Sequence, residues 1–234
     1  MSNGAQEDPR VIFVPTPIGN LADLTFRALE TLKDCDLIAC EDTRHSRKLL
    51  DHYGISKPLV SLHDHNEQRR IPELLKEAQQ GKTIAVISDA GTPCLSDPGH
   101  RLLKACIAEE IPYDVLPGAS AITTALVISG FPPHPFYFGG FLPFKKGKRS
   151  KELNEAVARD ITSLYFESPH RIVSTLELLR DIDPLVPVCI SKELTKKFQN
   201  IYRGRVSEVL EKLKSVTFKG ELVFLINPDA NNLA

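Results

Sequence analysis

Short apolar runs alternate with helical segments from residue 11 to residue 129. That alternation restricts this part of the chain to a largely parallel sheet with helical crossovers. Strands are expected at 11–15, 36–40, 59–62, 83–88 and 113–116, and helices at 24–33, 43–52, 67–80, 99–110 and 119–129. In the first helix Leu24, Phe26, Ala28, Leu29 and Leu32 recur at amphipathic spacing. The cadence breaks at GFPPHP (130–135), where three prolines and a glycine in six residues forbid a continuing helix. The expectation is an N-terminal α/β domain at 10–129, a linker at 130–135 and a C-terminal α/β domain at 136–228. The second has strands at 136–140, 161–166, 186–191, 200–203 and 221–226 and helices at 150–159, 172–181 and 206–214.

The 234 residues carry 29 Lys+Arg against 30 Asp+Glu, a net charge of −1, which excludes a protein that is basic all over. The sum hides a segregation. Stretch 141–151 carries +5 and stretch 192–205 carries +4, leaving −10 on the remainder. No run approaches the roughly 18 apolar residues of a membrane helix. The opening MSNGAQEDPR has no apolar core, so a cytoplasmic protein is expected. The five cysteines include no CxxC and read as reduced structural thiols.

Ligands of open parallel sheets bind beyond the carboxyl ends of the strands, so the loops following strands carry most weight. Here they are PTPIGN (15–20), EDTRHS (41–46), HDHNE (63–67), SDAGTPCLSDPG (88–99) and PGASA (117–121). No GxGxxG follows the first strand, which removes the dinucleotide fingerprint. Gly81-Lys82-Thr83 is not a P-loop, because Lys76 stands where the partner glycine belongs and a strand follows. Gly118-Ala119-Ser120-Ala121 lacks the second glycine of a nucleophile elbow. Cys40, His45, His63 and His65 match no zinc spacing, so no metal is expected. Gly91 and Gly118 allow close backbone approach to a ligand. Pro98 and Gly99 read as turn formers, with Asp97 as cap of the following helix.

TPIGNL (16–21), CEDTRHS (40–46), SDAGTPCLSDPG (88–99), LPGASA (116–121), GGFLPFK (139–145) and FESPHR (166–171) together resemble the tetrapyrrole-methylase superfamily. Within it the set is most similar to the branch that methylates a cytidine ribose 2′-hydroxyl of small-subunit ribosomal RNA. The likeness runs from Val11 to Asn227. It implies two α/β domains of the tetrapyrrole-methylase type with S-adenosylmethionine in the cleft between them, and a homodimer. Carried over by position, it implies cofactor contacts at Pro17, Asp89, Ala90, Gly91, Thr92, Leu95, Ser96, Gly118, Ser120 and Ala121, and at Phe166, Glu167 and Leu194 of the second domain. The partner implied is small-subunit ribosomal RNA or the assembled subunit. SDAGTP replaces the shorter GDP-type loop of the tetrapyrrole enzymes, which favours the RNA branch.

A ribose hydroxyl is a weak nucleophile and gains from a base as it loses its proton. Candidates are Glu41, Asp42, His45, His63, His65 and Asp89, with Glu41, Asp42, His63 and Asp89 preferred. For phosphate contacts the candidates are Arg44, Lys145, Lys146, Lys148, Arg149, Lys196 and Lys197, with Arg171, Arg203 and Arg205 as further cations. Phe141 and Phe144 stand beside the first run, where rings can stack on splayed bases. Two alternatives stay open at this point: a same-fold methylase of a small tetrapyrrole-like substrate, and a non-enzymatic RNA-binding protein.

Overall fold

The computed structural model describes residues 8–214 and 219–229. The chain divides into two compact units, Met1–Ser120 and Ala121–Ala234. In the first, β1 (Val11–Phe13), β2 (Leu37–Cys40), β3 (Leu59–Ser61), β4 (Ile84–Ile87) and β5 (Tyr113–Val115) form one sheet in the order β3-β2-β4-β1-β5, every pair parallel. The crossovers are α1 (Phe26–Asp34), α2 (Thr43–His52), α3 (Glu67–Gln79) and α4 (His100–Ala108). β2 and β4 are buried at every position because helices cover both faces, which is why they read as unbroken apolar runs. Alternate strand residues feed two cores. Val11, Phe13, Ile84 and Val86 pack with Leu74, Leu75 and Leu102 of α3 and α4. Val14, Ile38, Ala85 and Ile87 pack with Ala28, Leu32 and Leu50 of α1 and α2.

The second unit opens with α5 (Ala121–Ser129), a helix apolar on most sides that packs on strands Pro187–Lys192 and Leu222–Ile226 of that unit. The boundary therefore falls before α5, and the proline-rich segment 130–135 joins α5 to β6 inside the second unit. Its elements are β6 (Phe136–Phe141), α6 (Lys146–Ala158), β7 (Thr162–Glu167), α7 (Ile172–Ile182), β8 (Pro187–Lys192), β9 (Asn200–Arg205), α8 (Val206–Leu213) and β10 (Leu222–Ile226). The sheet order is β6-β7-β10-β8-β9, parallel between β6 and β7 and antiparallel elsewhere. Its core gathers Tyr165, Ile172, Leu176, Leu179, Leu210 and Phe224. α6 starts four residues before the expected Ser150, so the densest cationic run lies on the first turn of a helix.

Candidate active site

β1 and β4 are neighbours, yet their chains leave in opposite directions, β1 through α1 toward β2 and β4 through α4 toward β5. That reversal marks where an open parallel sheet leaves a crevice for a ligand. The loops beyond these strand ends are bound into one shell. Thr16 and Gly91 exchange both backbone hydrogen bonds at 2.9 Å, and the Thr16 Oγ1 donates to the Ser88 carbonyl at 3.2 Å. Gly91 sits at φ +82°, open to glycine at little cost, and a Cβ there would press on Ile18 at 3.3 Å. Thr92 Oγ1 donates to the Ala119 carbonyl at 3.2 Å, which ties in the loop after β5. Gly118 of that loop lies so close to Pro15 that a Cβ would fall 2.6 Å from the proline Cβ. Pro17 and Gly91 are buried, Asp89, Ala90, Thr92 and Ser120 are half-buried, and Leu95, Ser96 and Gly118 face solvent.

Carboxylates converge at the same strand ends. Glu41 follows β2 and is half-buried. Burial, reinforced by the negative charges of Asp89, Asp97, Asp64 and Asp42, pushes its carboxyl up to about 7. Burial likewise raises Asp97 to about 6; a hydrogen bond from Ser88 opposes the rise and Asp89 adds to it. Asp42 behaves in the opposite way. Its Oδ1 accepts from the Arg44 backbone N–H at 2.8 Å and its two oxygens accept from the Arg44 guanidinium at 3.2 and 2.9 Å. These bonds hold its carboxyl far below the usual range. Asp42 is thus the ionised cap of α2, while its backbone N–H donates to Asp89 Oδ1 at 3.3 Å. With its carboxyl raised, Glu41 is poised to exchange a proton near neutral pH.

His63 is locked by Asn66. Its backbone N–H donates to Asn66 Oδ1 at 2.9 Å, and its Nε2 lies 3.1 Å from Asn66 Nδ2, which also reaches Ser61. His65 stacks edge-on to it with ring centroids 6.1 Å apart. Asp97 does not cap α4. The cap is Gly99 at φ +114°, whose N–H is taken by Glu67 Oε1 at 2.9 Å. Glu67 is only 2 % exposed and reaches from the first turn of α3 to fix the far end of the loop after β4, leaving Asp97 with the carboxylate cluster.

The second unit holds the other expected contacts. Phe166 is half-buried in a ring cluster with Phe138 and Phe141, at centroid distances of 5.2 and 5.3 Å. Leu194 is buried. Glu167 has a fully buried carboxylate, paired with Arg171 at 2.6 Å and accepting from Thr175 Oγ1 at 2.7 Å, so it is committed to its own unit. Arg149 corrects the sequence expectation of a phosphate-facing cation. It is 5 % exposed, and its guanidinium turns inward to the Phe144 carbonyl at 3.2 Å and Ser174 Oγ at 3.3 Å. Lys196 is held by Glu193 and Glu221 at 2.9 and 3.0 Å. Arg44 is exposed beside Asp42, and Lys145, Lys146, Lys148 and Lys197 are exposed.

Residues 10–210 match the family of tetrapyrrole (corrin/porphyrin) methylases. The chain belongs to this family. Among curated relatives of this methylase, "Ribosomal RNA small subunit methyltransferase I" of Thermotoga maritima is 42 % identical over 93 % of the chain and 98 % of its own length. The protein of the same name from Hydrogenobaculum sp. is 44 % identical over 94 % and 96 %, and that from Bacillus subtilis 41 % over 99 % and 80 %. Among solved structures a diphthine synthase aligns at TM-score 0.73 with 15 % identity, covering 93 % of the chain and 89 % of its own. A cobalt-precorrin-4 methyltransferase aligns at 0.67 with 14 %, covering 93 % and 94 %. At such identities these two show the shared fold alone.

Two residues of the methylase escaped sequence reading. Glu67 stands in the first turn of a helix, where an acid is ordinary, and only its burial reveals a strut. Asp97 looked like a cap because Pro98-Gly99 follows it. The signal that could have found it was the density of acids at successive strand ends, Glu41, Asp64, Asp89 and Asp97.

Proposed function

We propose that this methylase transfers a methyl group from S-adenosylmethionine to the ribose 2′-hydroxyl of a cytidine in small-subunit ribosomal RNA. The observation that carries the reading is identity of 41–44 % over more than nine-tenths of the chain to proteins named for small-subunit ribosomal RNA methylation. The fuller reading adds a homodimer working in the cytoplasm on free RNA or the assembled subunit. No helix among the described residues is long and apolar enough to cross a membrane.

The residues present suit the methyl donor. Gly91 and Gly118 keep the backbone where any side chain would crowd Ile18 or Pro15, and Asp89 offers an acceptor at the rim. The donor supplies a methyl group on a sulfonium. Pro17, Ala90, Gly91, Thr92, Leu95, Ser96, Gly118 and Ser120 of the first unit would hold it. Thr92 keeps an oxygen lone pair for it, since its proton goes to Ala119. Gly118→Ala, which drives a methyl into Pro15, should weaken donor binding about tenfold or more by calorimetry.

Glu41 takes the proton that leaves the 2′-hydroxyl, and His63, fixed by Asn66, borders the acceptor. Because Glu41 acts ionised, turnover should rise with pH through an apparent midpoint near 6–7 that belongs to the coupled carboxylates. Asp97→Asn removes one of the charges that raise Glu41, so the midpoint should move to lower pH. An unmoved profile would assign the titration elsewhere. The function itself is tested by incubating the protein with labelled donor and either free RNA or small subunits, then mapping the label. Label on a base, or no label on either substrate, refutes the reading.

A further inference from the structure

The register of the second sheet brings distant segments to one end. Leu222 pairs with Glu167 on one side and Lys192 on the other, Lys192 pairs with Asn200, and Phe141 with Phe166. The ends of β6, β7 and β8 and the starts of β9 and β10 therefore lie together. Residues 141–148 and 192–200, remote in sequence, lie along this one rim. Arg203 and Arg205 run to the opposite end of β9, where the Arg203 Nη2 donates to the Ile128 carbonyl at 2.5 Å. With Arg149 turned inward, the exposed cations that the two basic stretches bring to the rim are Lys145, Lys146, Lys148 and Lys197. No ion pair among the described residues involves any of these four.

Beside the cations stand rings left in water. Phe144 is 84 % exposed, Phe198 71 % and Phe141 64 %. A single exposed ring needs no explanation, but three at one sheet end among unpaired lysines do. The loop that carries Phe198 is held firmly. Glu193 and Thr195 adopt left-handed conformations at φ +50° and +64°, which persist only where the surroundings over-determine them. The Thr195 N–H donates to Gln199 Oε1 at 2.7 Å, and Lys196 clamps the loop to Glu193 and Glu221. Phe198 is thereby presented outward, with Lys197 Nζ 5.7 Å from its ring centre. On the other edge the Arg171 guanidinium lies 5.6 Å from the Phe144 ring.

We propose that this rim is a stacking platform for single-stranded RNA. Phe198 and Phe144 each take the face of a splayed base, and Lys197 and the lysines of the α6 turn neutralise the phosphates between and beside them. The five strands span four spacings, roughly 19 Å, which a few unstacked nucleotides bridge. Rings stack on bases only where base faces are free, so the platform selects unpaired RNA over a duplex of equal charge. The proposal rests on the ribosomal RNA reading and adds to it that the acceptor segment is engaged unpaired, and by which rings.

The test is binding of a fluorescein-labelled single-stranded oligoribonucleotide, and of the same strand annealed to its complement, across a salt series. Phe144→Ala and Phe198→Ala should each weaken single-strand binding by roughly 5- to 100-fold with an unchanged salt slope, and Phe198→Trp should retain affinity. Lys145→Ala/Lys146→Ala/Lys148→Ala should lower the salt slope by about 2. Phenylalanine variants that bind the single strand like the parent, or that lose single strand and duplex alike, overturn the platform. Methyl transfer by the parent to small-subunit RNA is measured in parallel. If transfer is absent while the phenylalanine variants still lose single-strand affinity, the enzymatic reading falls and the platform stands. If transfer is present and the variants bind normally, only the platform falls.

Discussion

Glu41→Gln is expected to slow methyl transfer by about 10²- to 10³-fold while leaving donor and RNA binding intact, measured as single-turnover rates beside equilibrium binding. The amide keeps the shape and loses the proton acceptor. The same substitution should stabilise the fold above neutrality. Glu41 titrates at about 7 in the folded chain against an ordinary 4.5. The folded state therefore binds the extra proton between those values. Stability linked to Glu41 is full below about 4.5 and is lost as pH rises through about 7. Gln carries no charge at any pH. The variant should thus match the parent at pH 4 and exceed it at pH 8 by on the order of 1 kcal/mol, a figure reduced for the solvent that still reaches the side chain. A variant that is slow and no more stable at pH 8 would place the titrating group elsewhere.

Arg171→Ala should have the largest effect on stability, about 3–5 kcal/mol, seen as a lower midpoint in urea. The Glu167 carboxylate has no solvent contact; the Arg171 guanidinium at 2.6 Å is its one charged partner among the described residues, beside neutral donors at the Ser168 N–H (2.6 Å) and Thr175 Oγ1 (2.7 Å). Removing the arginine strands a buried charge. The paired change Glu167→Gln/Arg171→Met removes the charge along with its partner and should recover most of the loss. Equal loss in the single and double variants would show that packing of the arginine stem, rather than charge, sets the effect.

The strand-end loops of the first unit were legible because glycine, proline and acids mark turns whatever the tertiary setting. The expected helix at 43–52 matches α2 residue for residue. The order of the second sheet was not legible. β8 and β10 are buried on both faces, so their sequences show no alternation that would name neighbours or direction. Charge was the poorest guide at the level of single residues. Arg149 and Lys148 are adjacent and alike in sequence, yet helical geometry turns one into the core and the other to water. Glu41 and Asp42 are adjacent acids whose proton affinities move in opposite directions. Among the described residues no cation pairs with Glu41, while Asp42 holds Arg44 in a fork, a difference of orientation that sequence spacing does not encode.

The reciprocal bonds between Thr16 and Gly91 make two loops behave as one short piece of sheet. Most loops exchange their amide protons with solvent quickly, because they open without disturbing the core. These two amides should instead exchange only when the ends of β1 and β4 separate, on the slow timescale of the strands themselves. A ligand entering the crevice would meet walls already ordered, and the entropy of fixing those loops is taken during folding rather than at each encounter.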